Sequence, residues 1–435
     1  MSLLPLLFSA DPDRPLLWFH GRAHSAREVM QRVAAVARAL PADGRYLINL
    51  CEHRDQFLVA FCAALVRGHT NLLPSSRAEG VVDEVAALNP GSYRCTDQFV
   101  DRWTPGIDDV CAFELEGEHL VVRAFTSGST GTPQGHIKYW RSFVGSTAHN
   151  ARSIREALAP TYGDKRPWIV ATVPPQHMYG LETSIILPLL SDMAVHAARP
   201  LFPADIAAAL ADVPEPRVLV TTPVHMRAIV ASGQRFPKTA LIVSATAPLD
   251  VELAQAIERQ LDSTVLEMFG STETCVIAAR RTATEREWRL YPGVDLRPDA
   301  DGASVNAPWF VAPMRLQDFI EMHPDNRFII YGRNADMIEV AGKRASLADL
   351  TRRLLAIPGV QDAVVFQPDA AGAGTVRRVA ALVVAPTLTA EGITEQLAHG
   401  VDPAFIPRPL VLVPRLPRNE VGKLPREQLL AALKQ

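Results

Sequence analysis

Phe125-Thr126-Ser127-Gly128-Ser129-Thr130-Gly131-Thr132-Pro133-Gln134-Gly135 follows directly on the apolar stretch Leu120-Val121-Val122. Glycine lets the backbone turn without a Cβ penalty and bring its N–H groups close to an anion, while serine and threonine hydroxyls donate further hydrogen bonds. The run therefore reads as a phosphate cradle, with a polar linker as the competing reading. It is not a Walker loop, which needs a lysine after its last glycine, whereas Gly131 is followed by Thr132 and Pro133.

Around this run the chain alternates helical patterns with short apolar ones. Ser25-Ala26-Arg27-Glu28 has capping-box spacing and opens an amphipathic stretch carrying Val29, Val33, Val36 and Leu40. A strand pattern at Tyr46 to Leu50, a helical one from Gln56 to Arg67 and a strand end at Asn71-Leu72-Leu73-Pro74 follow. Apolar runs at Trp168–Val173, Val218–Val220, Ala240–Val243 and Val265–Phe269 are separated by helix-length segments, as buried parallel strands are. These features predict an α/β fold: a large N-terminal domain over 1–332 with layered, mostly parallel sheets. Beyond it, 333–435 reads as a small α+β domain, with strands at Ala363–Phe366, Val379–Val384 and Leu410–Val413 and helices at Ser346–Leu355, Thr389–His399 and the C-terminus.

Bulk properties narrow the function classes. The 435 residues are 48% hydrophobic and 21% charged, which suits a buried core and not a disordered chain. A net charge of −3 gives no electrostatic reason to expect nucleic acid or an anionic membrane as partner. The five cysteines, Cys51, Cys62, Cys95, Cys111 and Cys275, are scattered without a Cys-x-x-Cys pair, which points to a reduced, cytoplasmic setting and to no zinc site. The apolar patch Leu3 to Phe8 lacks a basic leading region and does not read as a signal peptide. No apolar run reaches the roughly 18 residues of a membrane span.

Three further constellations lie downstream of the cradle. Met268-Phe269-Gly270-Ser271-Thr272-Glu273 ends a strand pattern: the aromatic can stack on a flat base and the carboxylate can hold the magnesium that accompanies nucleotide phosphates. Asp318 and, fifteen residues on, Arg333 in Tyr331-Gly332-Arg333-Asn334-Ala335-Asp336 suit the vicinal hydroxyls of a ribose. Leu416-Pro417-Arg418-Asn419-Glu420-Val421-Gly422-Lys423-Leu424-Pro425-Arg426 puts a lysine on a Gly-containing turn between prolines, where it can act as a point charge for a phosphoryl anion.

In this order the four motifs resemble the adenylate-forming superfamily of acyl- and aryl-CoA synthetases, luciferases and peptide-synthetase adenylation domains. The resemblance runs from about Tyr46 to the C-terminus and includes Val218-Leu219-Val220-Thr221-Thr222-Pro223 and Ser244-Ala245-Thr246-Ala247-Pro248-Leu249. It implies ATP and Mg2+ as cofactors and an acyl-adenylate as the product of the first half-reaction. By resemblance Thr126, Ser127, Gly128, Ser129, Thr130 and Gly131 surround the β- and γ-phosphates. Phe269 and Gly270 take the place of the adenine-stacking segment, where the family usually has tyrosine, and Ala245 and Thr246 line the other face of the base. Thr272 and Glu273 serve the α-phosphate and the magnesium, Asp318 and Arg333 hold the ribose, and Lys423 bridges the α-phosphate and the acid's carboxylate. Ala335 stands at the hinge about which the small domain turns, a position often aspartate or lysine in the family.

Two departures stand out. Pro133-Gln134-Gly135 replaces the usual Pro-Lys-Gly, with Lys138 near enough in sequence to compensate, and Ser244-Ala245 replaces a more usual glycine. The segment Pro174-Pro175-Gln176-His177-Met178-Tyr179-Gly180-Leu181 matches one wall of the acyl pocket, making His177, Gly180 and Ser244 the candidate pocket residues. It lacks the aspartate that amino-acid-activating relatives use for the ammonium, which implies a small carboxylic acid with an uncharged tail, aromatic or aliphatic. In Asn49–Arg54, Asn71–Pro74 and Leu416–Arg418 the chain is also similar to ligases of aryl polyene and xanthomonadin-type pigment clusters, which load a hydroxybenzoate-like starter onto an acyl carrier protein. Coenzyme A is the alternative thiol acceptor, and a non-catalytic nucleotide-binding relative is the alternative of another class.

Overall fold

The computed structural model of the chain describes residues 3–8, 11–103, 113–127, 133–299, 302–333, 337–340, 343–368, 378–419, 422 and 424–434. Two compact units divide it: Met1–Val294 with Ala307–Ala312, and Asp295–Asn306 with Pro313–Gln435. The second unit thus takes in residues 295–306 and 313–332 as well as the 333–435 segment.

In the first unit the apolar runs pair as parallel strands. Trp168–Ala171, Arg217–Thr221, Leu241–Ser244 and Val265–Ser271 lie side by side, with Ile169 opposite Val218, Val218 opposite Leu241 and Ile242 opposite Val265. Every residue of Trp168–Ala171 and Leu241–Ser244 is buried, which is why these stretches read as continuous apolar runs and not as alternation. Crossover helices Pro203–Asp212, Pro223–Ser232 and Val251–Leu261 cover one face, packing Leu210, Met226, Ile229 and Ile257 against Val170, Leu219, Ile242 and Val265. Beyond Val265–Ser271 the chain turns back in the antiparallel strand Cys275–Arg280.

A five-stranded sheet runs in the order Ser92–Cys95, Tyr46–Asn49, Thr70–Leu73, Leu120–Ser127, Pro133–Tyr139. Its first four strands are parallel and the last antiparallel. The glycine-hydroxyl run thus joins two antiparallel neighbours, Thr126 standing opposite Gln134 and Ser127 opposite Pro133. The expected capping box opens helix Ala26–Ala39: the Glu28 N–H donates to Ser25 Oγ at 3.2 Å, and the Ser25 N–H donates to Glu28 Oε2 at 2.7 Å.

The second unit contains a three-stranded sheet in which Ala380–Val384 lies antiparallel to Asp362–Phe366 and parallel to Leu410–Leu412. Its central strand is buried on both faces. Ala381 and Val383 pack with Leu350, Leu354, Ile393 and Leu397 of helices Leu347–Leu355 and Ala390–Ala398. Ala380, Leu382 and Val384 pack with Leu429 of helix Arg426–Ala432. A hairpin, Asp318–His323 with Arg327–Arg333, precedes this sheet.

Ser25→Ala removes one of the two reciprocal caps and is expected to destabilise the first unit by about 1 kcal/mol. The midpoint of urea unfolding reads this directly, and a midpoint that stays in place would exclude the capping role.

Candidate functional site

Open α/β sheets bind ligands beyond the carboxyl ends of their strands, and here that edge is polar. Thr172 follows Trp168–Ala171, and its Oγ1 lies 3.0 Å from Thr221 Oγ1 and 3.2 Å from His225 Nδ1. Thr222 Oγ1 lies 3.1 Å from the same ring nitrogen. Ser244, directly opposite Thr221, is fully buried, and its Oγ has no hydrogen-bond partner among the described residues. Ala245 is buried beside it, and Thr246 has φ +79°, a left-handed conformation that a β-branched residue holds only where its surroundings impose it.

The wall segment is built by a close backbone approach. A Cβ on Gly180 would lie 2.0 Å from the Pro174 carbonyl oxygen, so only glycine fits. His177 precedes the helical turn Met178–Leu181: its N–H donates to the Pro174 carbonyl at 3.3 Å and its own carbonyl accepts from Leu181 at 2.8 Å. The Tyr179 hydroxyl donates to the Val243 carbonyl at 2.9 Å and ties the wall to strand Leu241–Ser244. His177, Gly180 and Ser244 thus flank a common edge of the first unit.

Strand Val265–Ser271 ends in an irregular turn. The register slips between Phe269 and Gly270, and a Cβ on Gly270 would lie 2.1 Å from the Cys275 carbonyl oxygen. The Ser271 N–H donates to Thr274 Oγ1 at 3.0 Å, the Thr274 N–H to Ser271 Oγ at 3.3 Å, and the Thr274 hydroxyl to the Cys275 carbonyl at 2.8 Å. Cys275 itself has φ +62°. This closed set of bonds leaves Thr272 and Glu273 half-buried at the tip. The Phe269 ring lies 5.4 Å from Trp288 at a 50° tilt, and the Arg280 guanidinium stands 4.3 Å from the Trp288 ring centre.

Burial pushes the Glu273 carboxyl up, but the Ser271 hydroxyl, a backbone N–H, His136 and Lys138 outweigh it and hold the group below its ordinary value. Glu273 is therefore an anion at neutral pH. His136 Nε2 lies 3.5 Å from Glu273 Oε1, and burial lowers the imidazole, with Glu273 opposing. The Lys138 ammonium donates to the Glu273 backbone carbonyl. Lys138, near enough in sequence to compensate for the lysine absent at Gln134, is buried, 3% exposed, against the Glu273 turn.

Two residues here, His136 and Glu182, escaped the sequence reading. His136 and Lys138 alternate on one face of strand Pro133–Tyr139, while Ile137 points outward, and that inverted polarity was the available signal. Glu182 is 1% exposed and accepts the Val276 N–H at 3.2 Å through Oε2. Its signal was a lone carboxylate in an apolar helical run from Met178 to Leu190.

In the second unit, the fifteen-residue spacing of Asp318 and Arg333 has a simple cause: the two stand opposite each other across a hairpin, with Asp318 buried. The loop expected to present the lysine is stapled from within the same unit. Arg418 donates through Nε and Nη2 to the two carboxylate oxygens of Asp362 at 2.8 and 2.7 Å, and through Nη1 to the Gly422 carbonyl at 2.8 Å. Lys423, Ala335, Gly128, Ser129, Thr130 and Gly131 lie outside the described residues. Among the described residues no three His, Cys, Asp or Glu side chains gather as a metal site. A divalent ion at Glu273 would accordingly take one protein carboxylate with ligand and water oxygens, which is how magnesium commonly binds beside phosphates. No helix among the described residues is long and apolar enough to cross a membrane.

A family model described as "AMP-binding enzyme" matches residues 71–308. Among curated proteins, the 4-coumarate–CoA ligase of Halorhodospira halophila is 28% identical over 309 residues, covering 69% of this chain and 73% of its own length. The 4-coumarate–CoA ligase of Rhodobacter capsulatus is 31% identical over 253 residues, covering 58% of this chain and 62% of its own length. Among solved structures, the o-succinylbenzoate CoA synthetase of Bacillus subtilis, in complex with its acyl-adenylate intermediate, matches with a TM-score of 0.82 over 99% of this chain and 98% of that one, at 16% identity. That likeness is one of fold, and it is the layered α/β fold expected from the sequence.

Burial raises the Glu182 carboxyl from its ordinary 4.5 to about 7, against the lowering effects of the Val276 N–H and Lys138; Cys275 and Tyr291 are the other titratable groups that face it. A raised folded-state value means that the contribution to stability is complete at low pH and is lost as pH rises through 7. Glu182→Gln is expected to flatten that dependence, so the urea midpoint of the unaltered protein should fall relative to the variant between pH 5 and pH 8. Parallel midpoints across this range would refute the assignment.

Proposed function

The chain belongs to the AMP-binding enzyme family, and on that premise we propose that it activates a carboxylic acid with ATP and magnesium to an acyl-adenylate and passes the acyl group to a phosphopantetheine thiol. The observation that carries this reading is the Ser271–Cys275 turn, which presents an ionised Glu273 and Thr272 next to Phe269 at the carboxyl edge of a parallel sheet. Glu273 and Thr272 serve the metal and the α-phosphate. Magnesium would supply positive charge between the phosphates when bound. Phe269, backed by Trp288, stacks on the adenine, with Ala245 and Thr246 on its other face. Asp318 and Arg333 take the ribose hydroxyls, and Thr126 to Gly131 surround the β- and γ-phosphates.

In the first half-reaction a carboxylate oxygen of the acid attacks the α-phosphorus, the new O–P bond forms, and the bond to the bridging oxygen breaks to release pyrophosphate. Two anions must meet in line, so the site has to neutralise charge and align them. Lys423 provides that charge, next to Gly422, whose carbonyl Arg418 holds while gripping Asp362. The 333–435 segment acts as the lid that carries it, turning about Ala335 between the two half-reactions.

The acid is an aryl acid. The names of the 4-coumarate and o-succinylbenzoate ligases support this, as does the absence of a carboxylate in the Pro174–Leu181 wall that would pair with an ammonium. The hydroxyl and imidazole cluster of Thr172, Thr221, Thr222 and His225 favours a ring bearing a hydroxyl, such as a hydroxybenzoate. The relatives' names support coenzyme A as acceptor. Transfer to an acyl carrier protein in pigment assembly in the cytoplasm is the reading that the short segments at Asn49–Arg54 and Leu416–Arg418 favour.

ATP–pyrophosphate exchange with a panel of benzoates, cinnamates and fatty acids, followed by trapping with coenzyme A or a carrier protein, tests each step. Lys423→Ala is expected to slow exchange by about 10²–10³ with ATP affinity nearly unchanged, as removal of a transition-state charge does. Asp362→Ala, which leaves Lys423 present but its loop unstapled, should slow exchange by about tenfold or more. If no acid supports exchange and Lys423→Ala changes nothing, the protein binds nucleotide without activating an acid.

A further inference from the structure

A buried lysine and a buried glutamate lie behind the Ser271–Cys275 turn, and no step described above uses them. Lys138 donates to the Glu273 carbonyl, and Glu182 accepts the Val276 N–H at 3.2 Å. Between them they hold the turn at its middle and just past its end. A cation sits on the carbonyl of the residue whose carboxylate faces outward, and an acid sits on the first amide beyond Cys275. The lysine charge also favours the ionised form of Glu182, so the two are coupled with each other as well as with the turn.

Packing alone does not account for this arrangement. Taking a lysine and a glutamate out of water costs several kcal/mol per ion, and apolar residues of similar volume often support a backbone as well or better. The turn already has its own hydroxyl clasp in Ser271 and Thr274, which satisfies its local donors. The Ser271 hydroxyl and His136 reach the Glu273 carboxylate itself, whereas the Lys138 contact falls on that residue's own peptide and so fixes the backbone from which the carboxylate projects. Glu182 also opens a π-helical turn, Glu182–Ile186, a helix type that concentrates at functional sites.

We propose that Lys138 and Glu182 form a buried positioning pair that aims the Glu273 carboxylate at the divalent ion accompanying the nucleotide. The proposal rests on the assignment of Glu273 to that ion in the preceding subsection. Outer partners of this kind act on metal affinity through the ligand they orient, without touching the metal. Neither residue is catalytic.

The test measures Mn2+ binding by electron paramagnetic resonance on the full chain, in the presence of an ATP analogue with a methylene group between the α- and β-phosphorus, which needs no turnover. Lys138→Met is expected to weaken Mn2+ binding about tenfold or more, as loss of an outer partner does, with metal-free analogue affinity unchanged. The double variant Lys138→Met/Glu182→Gln removes both buried charges. It should recover the urea midpoint that Lys138→Met loses while Mn2+ binding stays weak. Unchanged Mn2+ affinity in Lys138→Met, or affinity that recovers together with stability in the double variant, would overturn the pair as a positioning device. Tight Mn2+ binding by the unaltered chain, weakened in Lys138→Met, but without pyrophosphate exchange on any acid, would instead overturn the adenylation reading alone. No Mn2+ binding to the unaltered chain would overturn both.

Discussion

The close approach of Gly270 to the Cys275 carbonyl is the constraint on which the first unit's site depends. A sheet that has run parallel through six strands has to reverse there, and it does so within the few residues that carry Thr272 and Glu273. Reversal over so short a span needs a bulge, a glycine with backbone packed against its α-carbon, and a residue with positive φ, all of which are present. The donors and acceptors that the bulge frees are taken up by Ser271 and Thr274, so the turn stays ordered without a helix to stabilise it. Phe269 is fixed one residue before the bulge, so an aromatic face and a carboxylate emerge from the same strand end in a set relation.

Electrostatics then separates two carboxylates a few residues from the same turn. Glu273, half-buried and surrounded by donors, stays ionised, whereas Glu182, enclosed by apolar wall residues, is held near neutrality. Lys138 faces both. A lysine placed in this way does not act as a free cation for a ligand. Its charge is committed to a peptide carbonyl and favours the ionised form of a buried acid.

Much of this was legible in the chain itself. The parallel strands announced themselves as short apolar runs because both their faces are covered, and Ser25 and Glu28 announced a helix start because two orphan donors need two acceptors at that spacing. The spacing of Asp318 and Arg333 suggested a shared ligand, and its structural cause is a hairpin register. The partners of Lys138 and Arg418 were not legible. Lys138 meets a carbonyl 135 residues away and Arg418 a carboxylate 56 residues away, and no local period encodes contacts that only the closed sheet brings together. Proximity in sequence therefore did not reveal the Glu273 carbonyl as the partner of Lys138, because alternation along a strand fixes the face a side chain takes and not what waits there.

Arg418 and Asp362 show the same logic in the second unit. A charged side chain on a loop with free backbone spreads its charge over many positions and dilutes it at any one of them. A bidentate arginine grips the sheet strand Asp362–Phe366 while also holding the Gly422 carbonyl, which ties residue 422 to the core of its own unit.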